Sequence, residues 1–279
     1  MSVQLVIRDG NPYWYLSPDI WVVPGADPNS SPGAPIAGKP AYLWAHVANS
    51  GNTDAAGVRI DFYWANPALQ VTRSNATLVG VAYADVPGGG GQDVLCLVPW
   101  MPAIVNGGHE CLVAVAIHPN DPLPSPVPDP FDPPTYRQVA QKNLSVLVAT
   151  TQAATLMLTV SGLSRREEAV SIATELGGEL DAQTLARLGL PKLRPARAAT
   201  IEVGLDQVQR CVGEHDPIGK PKLELRVPHG SAAAVQVAVR AKNLAEGEYQ
   251  LVRVVERQGD TVLGGLALVV ISDRKERTS

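Results

Sequence analysis

Ala41-Tyr42-Leu43-Trp44-Ala45-His46-Val47-Ala48-Asn49, followed by Ser50-Gly51-Asn52, decides the fold class. Tyr42, Trp44, His46 and Ala48 fall on one face of an extended chain, and Leu43, Ala45 and Val47 on the other. A period of two between turn residues marks a half-buried strand, and Ser-Gly-Asn supplies the turn. Upstream, Asp19-Ile20-Trp21-Val22-Val23 is a second strand stopped by Pro24, and a Pro/Gly/Ser-rich loop runs to Pro40. Downstream the same pattern predicts strands at 58–64, 77–83, 94–98 and 109–117, with 142–148 closing the set. Seven short strands with Gly/Pro breaks fit an antiparallel β-sandwich of immunoglobulin type.

The whole chain has 279 residues, 45% of them apolar, with 25 Gly and 24 Pro. That much apolar content supports a packed core and excludes general disorder. A net charge of −4 gives no electrostatic basis for binding nucleic acid. The N-terminus, Met1-Ser2-Val3-Gln4-Leu5-Val6-Ile7-Arg8-Asp9, lacks a basic region and a long apolar run, so no signal peptide is expected. Residues 143–164 are uncharged but rich in Ser, Thr, Asn and Gln, which argues against a membrane span and for two strands joined by a short link. Cytoplasmic synthesis is expected, with export by a leaderless route left open. Three cysteines (Cys96, Cys111, Cys211) are too few for a disulfide framework.

Composition divides the chain near residue 150. Residues 1–150 carry six basic and eleven acidic side chains, all five tryptophans and six of seven tyrosines. Residues 151–279 are nearly charge-balanced. Two domains are therefore expected, 1–150 and 151–279. Residues 118–134 contain eight prolines, which fix φ and donate no backbone hydrogen bond. An extended surface loop is expected there, serving as a rigid crossover or as a docking segment through Pro124, Pro126 and Pro128.

The second half opens with a strand at 155–160 and then changes period. Ser164-Arg165-Arg166-Glu167 fits a capping box, and Ala169, Ile172, Ala173 and Leu176 follow at helical spacing up to Gly177-Gly178. Asp181 caps a second short helix ended by Gly189, so a helical insertion is expected over about 165–189. Strands resume at 200–205, 222–227, 233–241, 248–256 and 261–271. Gln258-Gly259-Asp260 joins the last two as a hairpin. The fold class expected is mainly β: two antiparallel immunoglobulin-like sandwiches, the second with a helical insertion.

The first half resembles the immunoglobulin-like, cell-adhesion-related (CARDB-like) domains of bacterial surface and secreted proteins, over roughly residues 15–150. The resemblance rests on Asp19-Ile20-Trp21-Val22, the stretch 42–49 with Ser50-Gly51, and 58–64. It continues through Trp100-Met101-Pro102, His109-Glu110-Cys111-Leu112-Val113-Ala114 and Val139-Ala140-Gln141-Lys142-Asn143-Leu144. It implies adhesion, spacing or assembly, with no catalytic set to carry over. The second half is assigned to no family.

Candidates for chemistry are sparse. His109 and Cys111, two apart on a strand, share a face, and Cys96 with His118 would complete a four-ligand zinc site. Against this, paired CxxC or HxxxH spacings are absent and Cys111 shares its face with Val113, Val115 and Ile117, which favours a core cysteine. A Cys96–Cys111 disulfide after export is a further alternative. Gly88-Gly89-Gly90-Gly91 lacks the lysine of a phosphate-binding loop and reads as a hairpin loop. Glu214-His215-Asp216, beside Cys211, reads as a polar loop before it reads as a catalytic centre. Asp121, Asp129 and Asp132 fit no calcium-loop spacing. No cofactor is expected. Trp14, between Tyr13 and Tyr15, precedes the first strand, so the trio either docks on a neighbour or straps across its own domain. The leading expectation is a non-enzymatic structural or interaction module, bacterial and part of a larger assembly, binding itself or other proteins through sheet edges, Tyr13-Trp14-Tyr15 and the Pro-rich loop. A carbohydrate-binding accessory protein using exposed tryptophans, and a metal-dependent hydrolase at His109/Cys111 or Glu214–Asp216, are the alternatives.

Overall fold

The alternation at 41–49 is realised as a nine-residue strand whose burial itself alternates, with Ala41, Leu43, Ala45, Val47 and Asn49 inside. The computed structural model describes residues 2–103, 110–149, 152–162, 169–197, 200–208 and 218–272. The first half contains β1 (Leu5–Val6), β2 (Ile20–Pro24), β3 (Ala41–Asn49), β4 (Ala55–Ala65), β5 (Ala76–Val86), β6 (Gly91–Leu95), β7 (Cys111–Ile117) and β8 (Val139–Lys142). Then come β9 (Leu144–Ala149), β10 (Ala154–Ser161), β11 (Ala169–Leu176), α1 (Ala182–Arg187), β12 (Arg194–Pro195) and β13 (Ile201–Gln207). The chain closes with β14 (Lys222–Arg226), β15 (Ala232–Ala241), β16 (Glu248–Gln258) and β17 (Thr261–Ser272).

In the first sandwich β3 pairs with β1 and β2 on one side and β6 on the other, and this sheet faces a second in the order β5-β4-β7-β8. Leu43, Val47, Ile60, Phe62, Leu112 and Ala114 meet in the core between them. β7 is buried on both faces because a second apolar cluster covers its outer side, where Cys111, Val113 and Val115 pack with Val71, Val139 and Phe131. Phe131 belongs to the Pro-rich segment. That segment is therefore not simply an extended surface loop: it folds back over the sheet, pinned by Phe131, whose ring also stacks under the Arg73 guanidinium at 4.4 Å. Pro124 and Pro126 stay exposed, whereas Pro128 is half-buried. Gly88–Gly91 joins β5 to β6, which lie in different sheets, so it is a crossover rather than a hairpin. Gly88 N–H is held by Asp54 and Gly89 N–H by the Asn49 and Gly51 carbonyls.

The second sandwich sets the sheet β10-β15-β13 against β14-β11-β16-β17-β9, with β12 parallel to β16. Its core is Leu158, Val160, Ile172, Val203, Val237, Val252, Val254, Leu266 and Leu268. Gly259-Asp260 closes the β16–β17 hairpin as expected, with Gly259 at φ +56. The predicted helix at 169–176 is instead β11. Ile172 pairs with Leu223 of β14 on one side and Glu256 of β16 on the other; the ladder to β14 runs from Ala169 to Ala173 and that to β16 from Ser171 to Leu176. Val170, Ile172 and Thr174 are β-branched at alternate positions, and an available strand on each side outweighs the helical spacing of Ala169, Ile172, Ala173 and Leu176. The proposed capping box, 164–167, lies outside the described residues. The second helix is present: Asp181 accepts from Thr184 N and Oγ1 at 2.8 and 2.7 Å, and Gly189 follows at φ +75. Leu185 of α1 and its C-cap residue Leu188 cover Tyr249, Leu251, Ala267 and Val269 on the outer face of the β16–β17 pair. Both faces of β16 thereby pack against apolar side chains.

The expected closing strand, 142–148, is divided between the two sandwiches. β8 ends at Lys142 in the first, and β9 begins at Leu144 in the second, where it runs parallel to β17. Asn143 between them is fully buried. No helix among the described residues is long and apolar enough to cross a membrane.

Candidate interaction site at the joint and an open flank

Single-residue pivots between two sheets need every polar group placed, since no water reaches them. Asn143 donates its backbone N–H to Tyr15 O (2.8 Å) and its side-chain N–H groups to Gly265 O (2.9 Å) and Ala68 O (3.4 Å), and its backbone carbonyl accepts from Ala267 N (2.8 Å), while its Oδ1 has no partner among the described residues. Residues 15–17 run beside β8, with Ser17 N–H on Gln141 O. The Tyr13-Trp14-Tyr15 segment is thus built into the chain's own joint. Tyr15 is 0% exposed, and a Cβ on Gly265 would come within 2.5 Å of its ring. Tyr13 and Trp14 are half-buried, each edge-on to Tyr15, and the Arg253 guanidinium lies 4.1 Å above the Tyr13 ring. Burial pushes the Tyr15 hydroxyl well above its ordinary proton affinity.

From the other side of the joint, Leu69 leaves the first sandwich and enters the core of the second. Its carbonyl accepts from Gly265 N (3.1 Å), and a Cβ on Gly264 would lie 2.0 Å from that oxygen. The Gly264-Gly265 pair is what lets the two backbones approach. A glycine pair inside an apolar strand is a signal for such an approach, and it is readable in the sequence. Leu69 and Asn143 carry no comparable signal, because nothing in their neighbourhood along the chain shows what they touch. Deeper still, Glu256 is fully buried, neither of its oxygens has a hydrogen-bond partner among the described residues, and burial pushes its carboxyl up to about 7, with nearby Gln70 opposing.

The predicted metal and catalytic groups do not converge among the described residues. Cys96 sits in the core between the first two sheets, with Sγ 3.7 Å from Val98 O, whereas Cys111 is in the cluster outside them, with Sγ 3.5 Å from Ala68 O. The two are not joined in a disulfide, and burial pushes Cys111 up to about 12. His118 accepts the Asn120 N–H in a turn. His109, Cys211 and Glu214-His215-Asp216 lie outside the described residues. Asp121, Asp129 and Asp132 serve three separate structural tasks: Asp121 takes Leu5 N–H and Arg137, Asp129 takes Ser74, and Asp132 takes Thr135 N–H. No cluster of three or more His, Cys, Asp or Glu side chains suited to a metal occurs among the described residues. Trp21 and Trp44 are nearly parallel (12°), but they stack on one another, Arg187 lies 4.0 Å over Trp21, and Trp44 donates to Pro28 O. Two rings stacked in that way offer no side-by-side platform to a sugar.

The open flank of the first sandwich is different. β5 is an edge strand that pairs with β4 alone among the described residues. Its residues 76–84 carry no charge. Leu78 and Tyr83 are exposed, Tyr83 by 68%. Val98 packs over Gly80 of β5, and Leu97 beside it is 74% exposed.

No family model and no curated protein matches the sequence. Solved structures with some similarity include the CARDB domain of a Pyrococcus furiosus protein (12% identity over 50% of this chain and 85% of that one, TM-score 0.28). The CupB6 tip adhesin of Pseudomonas aeruginosa aligns over 99% of this chain and 98% of its own at 10% identity and a TM-score of 0.26. Red sea bream transglutaminase aligns over 92% of this chain and 32% of its own, at 9% identity and a TM-score of 0.23. At these values the likenesses say nothing of what the chain binds.

Proposed function

We propose that the chain is a non-enzymatic interaction module, two sandwiches held as one stiff unit, which associates with copies of itself or with other protein chains. The observation that carries this reading is the flank of β5. The outer side of β5 leaves backbone N–H and C=O groups free to pair among the described residues, and soluble proteins ordinarily blunt such edges with charge, proline or a bulge; in β5 the charge is confined to Asp85 near its end, and the register against β4 shifts between Phe62 and Tyr63. Along residues 76–84, which carry no charge, the edge is lined by exposed Leu78 and Tyr83, with exposed Leu97 and Val98 beside it. Addition of a strand from a partner satisfies the backbone and buries these side chains at once. The exposed Pro124 and Pro126 supply a second, smaller contact surface for the same role, and Tyr13, Trp14 and Tyr15 act in it by stiffening the joint.

Light scattering after size-exclusion chromatography tests the reading on the full chain and on a Leu78→Lys/Leu97→Lys variant. A wild-type species heavier than 29.5 kDa that returns to 29.5 kDa in the variant is the expected result. A monomer at every concentration, together with identical cross-linked products from wild type and variant in a lysate, overturns it.

A further inference from the structure

A small cavity of about 30 Å³ lies at the joint, lined from the first sandwich by Trp100, Glu110 and Lys142 and from the second by Ser145 and Arg187. Lys142 is 5% exposed. Its ammonium group has three N–H donors, and one long bond, 3.4 Å to Ser17 O, is its hydrogen bond among the described residues. Trp100 Nε1–H is buried with no acceptor among the described residues. Arg187 donates to Pro18 O and stacks on Trp21. The lining is therefore rich in donors that have little to donate to, a costly state for buried groups.

The cavity lining carries two cations, Lys142 and Arg187, and one carboxylate, Glu110. Burial pushes the Lys142 amine down to about 8, the charge of Arg187 adds to this, and both side chains line the one cavity. The carboxylates that act on Lys142 are Asp181 and Asp19. Each is already engaged, Asp19 by Arg8 through its Nε and Nη2 and Asp181 by the first turn of α1. Glu110, on the cavity wall, accepts Ala103 N–H through Oε1.

We infer that this cavity binds one small monovalent anion, of halide or formate size, between Lys142, Arg187 and the Trp100 indole N–H. Such an ion cancels the repulsion between the two cations and gives the indole its acceptor. The cavity holds roughly one water-sized occupant, too little for phosphate or sulfate. The Glu110 carboxylate on the wall also opposes any higher negative charge. Because Lys142 ends β8 of the first sandwich and Arg187 ends α1 of the second, the ion acts as a clamp on the joint.

Thermal unfolding of the full chain, with chloride exchanged for gluconate at constant ionic strength, reads the site. Wild type is expected to show a saturable rise in unfolding temperature with chloride. Arg187→Gln and Trp100→Phe are expected to need about tenfold more chloride for half the effect. Lys142→Met is expected to lose the response while unfolding no lower than wild type in gluconate, since replacing a repelled buried cation by an apolar side chain of similar length costs little. Crystals grown in bromide should show one anomalous peak between Lys142 and Arg187. An unfolding temperature indifferent to chloride, an equal response in wild type and all three variants, or a cavity without bromide overturns the inference.

Discussion

Asn143 turns one sandwich into the next with a single side chain, and its replacement should be felt in both. Asn143→Ala removes donors from two buried carbonyls, Ala68 O and Gly265 O, and is expected to cost about 1–3 kcal/mol in urea unfolding. Glu256 behaves in the opposite way with pH from a paired carboxylate. Its folded-state carboxyl titrates near 7, above the ordinary value of 4.5, so folding takes up a proton between these values. The stability Glu256 allows is fully present below about pH 4.5 and is lost as pH rises through 7, by roughly 3 kcal/mol. Glu256→Gln should flatten that part of the pH profile; an unchanged slope would mean the carboxylate is solvated in the folded protein. Neither residue announces itself in the sequence. An Asn in a strand end and a Glu in an amphipathic strand are ordinary until the opposite backbone is known.

Among the elements, β11 and the Pro-rich segment show what local pattern reading can and cannot deliver. Spacing alone is ambiguous for an eight-residue stretch, where three or four apolar positions satisfy either period. The alternating β-branched residues Val170, Ile172 and Thr174 were the better guide, but the deciding factor was the ladder offered by β16, which lies about eighty residues away along the chain. The cap and turn chemistry at Asp181 and Gly189 is legible in the sequence because it is complete within a turn of the helix at each end. In the Pro-rich segment the prolines were legible as non-strand, but Phe131 as an anchor was not. Phe131→Ala is expected to destabilise the first sandwich by about 3–5 kcal/mol and to expose residues 118–134 to rapid proteolysis. Cleavage no faster than in wild type would show that the segment does not depend on this anchor.

For the whole molecule, the joint predicts cooperativity. All five tryptophans lie in the first half, so their fluorescence follows that sandwich while far-ultraviolet circular dichroism follows both. Leu69 inserted in the second core, Tyr15 against Gly265 and Asn143 between them should make the two urea transitions coincide in wild type. Leu69→Ala, costing about 2–5 kcal/mol, is expected to separate them. Coincident transitions in that variant would mean that the remaining contacts suffice. Deleting residues 1–16 should unfold the chain rather than merely dissociate it, since β1 and Tyr15 go with them. The sequence by itself determined the β class, most strand positions, the capped short helix and the last hairpin, because alternation, caps and turns are encoded within a few residues. The tertiary structure alone decided that 169–176 is a strand, that Tyr15 is buried with Tyr13 and Trp14 packed edge-on against it, and that Lys142 and Arg187 line one cavity. Those outcomes depend on which surfaces distant segments bring together, and a pattern repeating over a few residues holds no record of that.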